Sequence, residues 1–308
     1  MREPRSELGI RLARGLVGVC SVADGPTEQQ RRLITTLLHS YFGVAGDAAR
    51  LAPLTPHELA AVVSDERTAR RFVQAMVVLE FCRHPATPEM ADSVERYAGV
   101  LGVTEPMLAV GRAAAESARE AVAEDWNRFR EAPRIEAGIS GEADVALAAR
   151  LRDLARCPPG TLGRAYFDFY ERYGLSFPGE PDGGNPSLVS HDFTHVLASY
   201  EPDAVGEIAL QAMLTSASPG DVHFSGLVAS LGLYEVGMLP FPGIDPKTRS
   251  LARPRATEEL THAVRRGAAC SGDFQDVNHL EMADEPIQKV RDRLDIPPRL
   301  PLTPGPWV

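Results

Sequence analysis

Apolar residues recur along this chain with the 3.6-residue period of a helix. In PTEQQRRLITTLLHSYFG, Leu33, Ile34, Leu37, Leu38, Tyr41 and Phe42 fall on one stripe, which predicts an amphipathic helix with that stripe in a core. Helix starts repeat along the first third: Thr55 with Pro56 and Glu58, Thr87 with Pro88, and Thr104 with Glu105 and Pro106. Each sets a hydroxyl where it can accept from the first free N–H groups, and a proline where no N–H is needed. At least four helices are therefore expected before residue 105. MLAVGRAAAESAREAVAEDWNRFREA is rich in strong helix formers and predicts one long helix. No segment sustains the alternation of a strand, and valine-rich pieces such as AMVVLEF sit inside helical patterns. The fold class expected is all-α.

The helical pattern breaks at APRIEAGISG and resumes with EADVALAARLRDLARC. That break, in a chain of 308 residues, predicts two helical domains, 1–135 and 136–308, joined by the long helix. The closing PPRLPLTPGPWV holds too many prolines for a helix and should run extended or stay mobile.

Composition changes the picture mainly by exclusion. With 44% hydrophobic and 24% charged residues the chain reads as an ordinary globular protein. A net charge of -10 argues against a nucleic-acid partner, which needs Lys and Arg in excess on one face. The small basic clusters around Arg70 and Arg265 read as solvated helix faces. Cys20, Cys82, Cys157 and Cys270 form no C-x-x-C pair, which speaks against a zinc knuckle or a redox dithiol and fits a reducing compartment. Since no stretch reaches the ~20 apolar residues of a spanning helix and the start lacks a secretory signal's apolar core, a cytoplasmic chain is expected.

Chemistry concentrates in SLVSHDFTHVLASYEPDAVGEIALQAM. On a helix, His191 and His195 project from one face a single turn apart, the spacing at which one metal ion takes both imidazoles. Asp192 neighbours His195 at three residues. Glu207 follows after eleven residues, past a turn marked by Pro202, where it can fold back toward the pair. Such a set suits a divalent ion, Zn²⁺ or Fe²⁺. His191, His195 and Glu207 are read as direct ligands; Asp192 is either a fourth ligand or the acceptor that fixes an imidazole tautomer. His223 could join them, but reads as a surface histidine at a helix start. His39, His57 and His84 have no partners at ligand spacing and receive no role.

The pattern His-Asp-x-x-His, eleven residues, then Glu, resembles the signature of the Coq-four family of ubiquinone (coenzyme Q) biosynthesis proteins. CPPGTLGRAYFDFYERYG and the Gly206-Glu207 pair resemble further segments of that family, as does RRGAACSGDFQDVNHLEMADEPIQKVRDRLDIPP, so the resemblance spans roughly residues 145 to 300. ASYEPDA stands where the family has a Gly-x-Pro-Thr turn. The resemblance implies a metal-dependent part in making the quinone headgroup, with a ring carboxyl replaced by hydroxyl on a small aromatic or prenylated quinone-type substrate, and leaves room for peripheral membrane contact. Residues 8 to 120, through ADGPTEQQ, resemble the TerB-like domains named from tellurite resistance, which implies protein partners for that half. There, residues 17 to 43 and 75 to 103 share a plan of apolar helix, turn, acidic cap and second helix, and Asp24-Gly25 reads as a structural turn. Two other readings stand beside this one: a non-catalytic isoprenoid- or quinone-binding scaffold with a structural metal, and an HD-type metal phosphohydrolase built on the adjacent His191 and Asp192.

Overall fold

Threonines open two of the first helices, at Thr55 as the sequence predicts and also at Thr27. Thr27 and Gln30, and likewise Thr55 and Glu58, exchange side-chain and backbone hydrogen bonds in reciprocal capping boxes. The structure, a computed structural model, describes residues 6–115, 144–181, 183–218, 222–238 and 244–301. Among them are thirteen α-helices and no strand. The first six are α1 (Ser6–Cys20), α2 (Glu28–Ser40), α3 (Pro56–Ala60), α4 (Glu66–Phe81), α5 (Pro88–Val100) and α6 (Met107–Ala115). The rest of the expected long helix, and the boundary near residue 135, lie outside the described residues. Then come α7 (Val145–Asp153), α8 (Leu162–Tyr173), α9 (Leu188–Ala198), α10 (Ala204–Ala217), α11 (Val222–Leu231), α12 (Ala256–Ala269) and α13 (Ile287–Arg293).

The stripe on α2 behaves as its period requires: Leu33, Ile34, Leu38 and Tyr41 are buried. α1–α2 and α4–α5 are both helix–turn–helix units. In the first turn Gly25 takes a φ of 88°, a left-handed conformation that glycine adopts without strain. Two starts differ from their reading: Thr87 stands at the N-cap of α5 but its hydroxyl makes no capping hydrogen bond. α6 opens at Met107, whose N–H is met at 3.3 Å by the buried Glu105 carboxylate rather than by Thr104, because the longer side chain reaches the free donor from two residues back.

α10 positions everything else. It is apolar nearly all round, as a helix buried on every side must be. Ala204, Ile208 and Ala212 face a core shared with α1, α2, α4, α5, α6, α11 and α12. Ala209, Leu210, Met213 and Leu214 face a second core with α7, α8, α9 and α13. α12 crosses it closely at Gly267, where an added Cβ would sit 2.1 Å from the Met213 carbonyl oxygen. Helices from before and after the undescribed stretch thus pack in one core. Where α1, α2, α4 and α10–α12 converge, Leu12, Leu33, Phe72, Phe224 and Leu260 help line an apolar pocket of about 230 Å³. Of the closing segment, residues 297–301 are non-helical and lie against α12, whose Arg266 donates to the Pro297 carbonyl at 2.7 Å.

Candidate metal centre

α9 supplies two imidazoles and the turn after it returns the chain for the third group. Ser199 takes a φ of 60° as C-cap, which bends the backbone back beside the helix it has just left. Asp203 then caps α10 by accepting from Val205 and Gly206 N–H at 3.0 and 2.8 Å. Glu207 consequently lies in the first turn of α10, directed at α9. Gly206 makes the approach feasible, since a Cβ there would lie 2.0 Å from the Glu201 carbonyl oxygen.

Two ring nitrogens and both oxygens of one carboxylate meet. His191 Nε2 and His195 Nε2 are 3.2 Å apart, with the ring planes nearly perpendicular at 89°. Glu207 completes the triangle with Oε1 at 3.1 Å from His195 and Oε2 at 3.3 Å from His191. Taking one ligand atom from each side chain, the three lie within 4.8 Å of one another, close enough for a single ion to reach all three. His195 donates Nδ1–H to the Tyr200 carbonyl at 3.1 Å, which leaves Nε2 as a lone pair. That lone pair faces a second ring nitrogen and a carboxylate, so a cation, proton or metal, is required among them. His195 is 1% exposed while His191 and Glu207 are 17% and 18% exposed, so solvent reaches the group at His191 and Glu207 and not at His195.

Asp192 stands apart from this group. Its Oδ2 accepts from the Tyr170 hydroxyl on α8. Burial holds its carboxyl above the ordinary range, against the lowering effect of the His191 charge and the Tyr170 hydrogen bond. In Glu207, burial also pushes upward, but the charge of His195 and hydrogen bonds from both histidines outweigh it, so the carboxyl lies well below its usual range. Burial pushes His195 downward; the Glu207 charge and hydrogen bond prevail and raise it.

Two neighbours were not legible as site residues: Tyr200, whose backbone carbonyl fixes the His195 tautomer, and Gln211, whose amide lies 3.5 Å from His191 Nδ1. A backbone acceptor leaves no sequence signal; Gln211 follows Glu207 by one turn on the same face of α10, a spacing that could have shown it. Tyr170 lies within the AYFDFYERYG segment already singled out. His223 departs from its reading as a surface group. It is 7% exposed and paired at 2.7 Å with Asp273, because the loop after α12 covers the start of α11. It does not reach the triangle. His39 contacts the Gly46 carbonyl at 2.7 Å, and His84 bridges to the buried Glu235 at 2.7 Å. Among the described residues, His191, His195 and Glu207 form the one cluster of three or more acidic, His or Cys side chains spaced to hold an ion.

No helix among the described residues is long and apolar enough to cross a membrane. No family model and no curated protein matches the chain. Among solved structures it is similar to a protein of Nostoc punctiforme PCC 73102 assigned provisionally to ubiquinone biosynthesis, at 19% identity over 76% of this chain and 99% of that one, with a TM-score of 0.34, a likeness too low to carry an argument.

Proposed function

We propose that the chain is a divalent-metal protein of ubiquinone-type biosynthesis, in which His191, His195 and Glu207 hold one Zn²⁺ or Fe²⁺ and the substrate is an aromatic acid bearing an apolar chain. The observation that carries the metal reading is the convergence of two ring nitrogens, 3.2 Å apart, on the two oxygens of one carboxylate at 3.1 and 3.3 Å, with His191 and Glu207 partly exposed. A structural ion would be enclosed by protein, whereas two imidazoles and a carboxylate with an open side suit a catalytic one. The quinone reading draws on the resemblance of His191-Asp192-x-x-His195 and Glu207 to the Coq-four signature. The apolar pocket supports an apolar substrate: α10 carries Glu207 and Gln211 at one end and lends Ala212, Thr215 and Ser216 to the pocket at the other.

Bound Fe²⁺ would supply O₂ activation, and Zn²⁺ would polarise a carboxylate. The chain's own groups orient that chemistry. The Tyr200 carbonyl keeps the His195 proton on Nδ1, Tyr170 holds the Asp192 carboxyl out of the ligand group, and the burial of His195 keeps water from that ring. In the proposed reaction the bond from ring to carboxyl breaks and CO₂ leaves. One oxygen atom of O₂ becomes the ring hydroxyl; the other leaves as water with two electrons from an added reductant. The turning of Asp192 toward Tyr170 gives no support to a phosphohydrolase built on the His191–Asp192 pair. The test is incubation of Fe²⁺-loaded protein with a prenylated hydroxybenzoate, O₂ and a reductant. Release of CO₂ is expected, and intact substrate bound to a loaded protein would favour the scaffold reading instead.

A further inference from the structure

The end of α9 is held by an unusual number of cations. The last carbonyls of a helix have no partner within it, and cations are favoured there. Here three arginines from three elements take four successive carbonyls. Arg291 of α13 donates to Val196 at 3.0 Å and Leu197 at 2.9 Å, Arg266 of α12 to Ala198 at 2.9 Å, and Arg299 of the closing segment to Ser199 at 2.6 Å. Arg266, 3% exposed, also donates to Pro297, tying the closing segment to the same helix end. The next residue is Tyr200. The Arg266 and Arg299 guanidinium groups lie over its ring at 5.1 and 5.0 Å, and its carbonyl accepts from His195.

Three guanidinium groups around one helix end repel one another, and among the described residues only Arg299 is seen with an acidic partner, Glu259 at 2.5 Å. A cap for α9 would need one of them. What three accomplish is to fix the αL turn at Ser199 and the plane of the peptide after Tyr200, and thus the acceptor that decides which His195 nitrogen carries the proton. We infer that Arg266, Arg291 and Arg299 are positioning residues for the metal centre. Through Tyr200 they hold His195 as the Nδ1–H tautomer with Nε2 toward His191 and Glu207, so that docking of the segment bearing Arg299 and occupancy by the ion strengthen each other. Such coupling is reciprocal by linkage. The inference rests on the metal reading above.

The full chain with Arg299→Gln tests it, since Arg299 lies on a non-helical surface segment and its loss leaves no hole in either core. Zn²⁺ affinity is measured by chelator competition, and the His195 tautomer by ¹⁵N shifts of the imidazole in the metal-free chain at a pH where the ring is neutral. About tenfold weaker Zn²⁺ binding is expected, within the 10–100-fold range for groups that orient a ligand, together with a mixed His195 tautomer. Arg299→Lys should recover part of both. Arg112→Gln, which removes an ion pair with Asp92 and Glu95, should change neither. Unchanged affinity and a single tautomer in folded Arg299→Gln would overturn the inference. A parent chain that binds no Zn²⁺ would defeat the metal reading; the tautomer comparison would still decide the clasp.

Discussion

Glu207 and His195 show how strongly each site group depends on the other's charge. In the metal-free chain Glu207 titrates below its ordinary 4.5, so its contribution to stability is present above that value and is lost as pH falls through the lowered one. His195 titrates above its ordinary 6.5, so its contribution is present below that value and is lost as pH rises through the raised one. The metal-free chain is therefore expected to melt highest between pH 4.5 and 6.5. Binding an ion displaces a proton, so affinity should climb with pH, and the rise in Tm on adding Zn²⁺ should be largest above neutral. Equal shifts on both sides of pH 6.5 would contradict that coupling. Asp192 and Glu207 should separate by substitution. Glu207→Gln is expected to lose the ion, whereas Asp192→Asn should retain it with about 10–100-fold weaker binding, measured by chelator competition. Glu80 titrates for a different reason: burial in the N-terminal core pushes its carboxyl up to about 8, against the charge of Arg112. The folded chain keeps that proton between pH 4.5 and about 8 while the unfolded chain gives it up, so this carboxyl makes stability fall with pH across the window. Glu80→Gln should flatten that fall in denaturant titrations at several pH values.

The turn between α9 and α10 brings ligands from two helices together, and it is the most sensitive element. Gly206→Ala would set a methyl 2.0 Å from the Glu201 carbonyl oxygen, closer than atoms pack. We expect a loss of about 1–3 kcal/mol of stability by overpacking, together with weaker metal binding, because Glu207 must move with the backbone. Stability loss with unchanged affinity would show that the turn adjusts without moving the ligand. The capping box at Thr55 and the ligand spacing on α9 were legible in the sequence because the interacting groups lie within a turn of each other. Arg266 was not. It belongs to a basic cluster that reads as a solvated face, but only Arg265 is exposed; Arg266 is buried by carbonyls 68 and 31 residues away. Arg71, beside Arg70, likewise reaches the Ser218 carbonyl 147 residues on. His223 turned out buried on the same grounds, its partner Asp273 lying 50 residues off. Local pattern reports local partners, and these charges are satisfied by distant ones.

At the scale of the whole molecule, α10 joins two cores, and both the triangle and the apolar pocket depend on it. The all-α class followed from periodicity. That helices from before and after residues 116–143 pack into one core did not, because an apolar stripe shows that a face is covered and not by what. An apolar molecule that bound in the pocket would stabilise the folded chain by mass action. The remaining question is whether the triangle holds an ion at all. Metal content per chain, measured on full-length protein purified without chelators under anaerobic conditions and on His195→Ala prepared alongside it, answers that directly. One Zn²⁺ or Fe²⁺ per parent chain and none in the variant is the expected result. No metal in either, or the same content in both, would contradict the assignment of His191, His195 and Glu207 as its ligands.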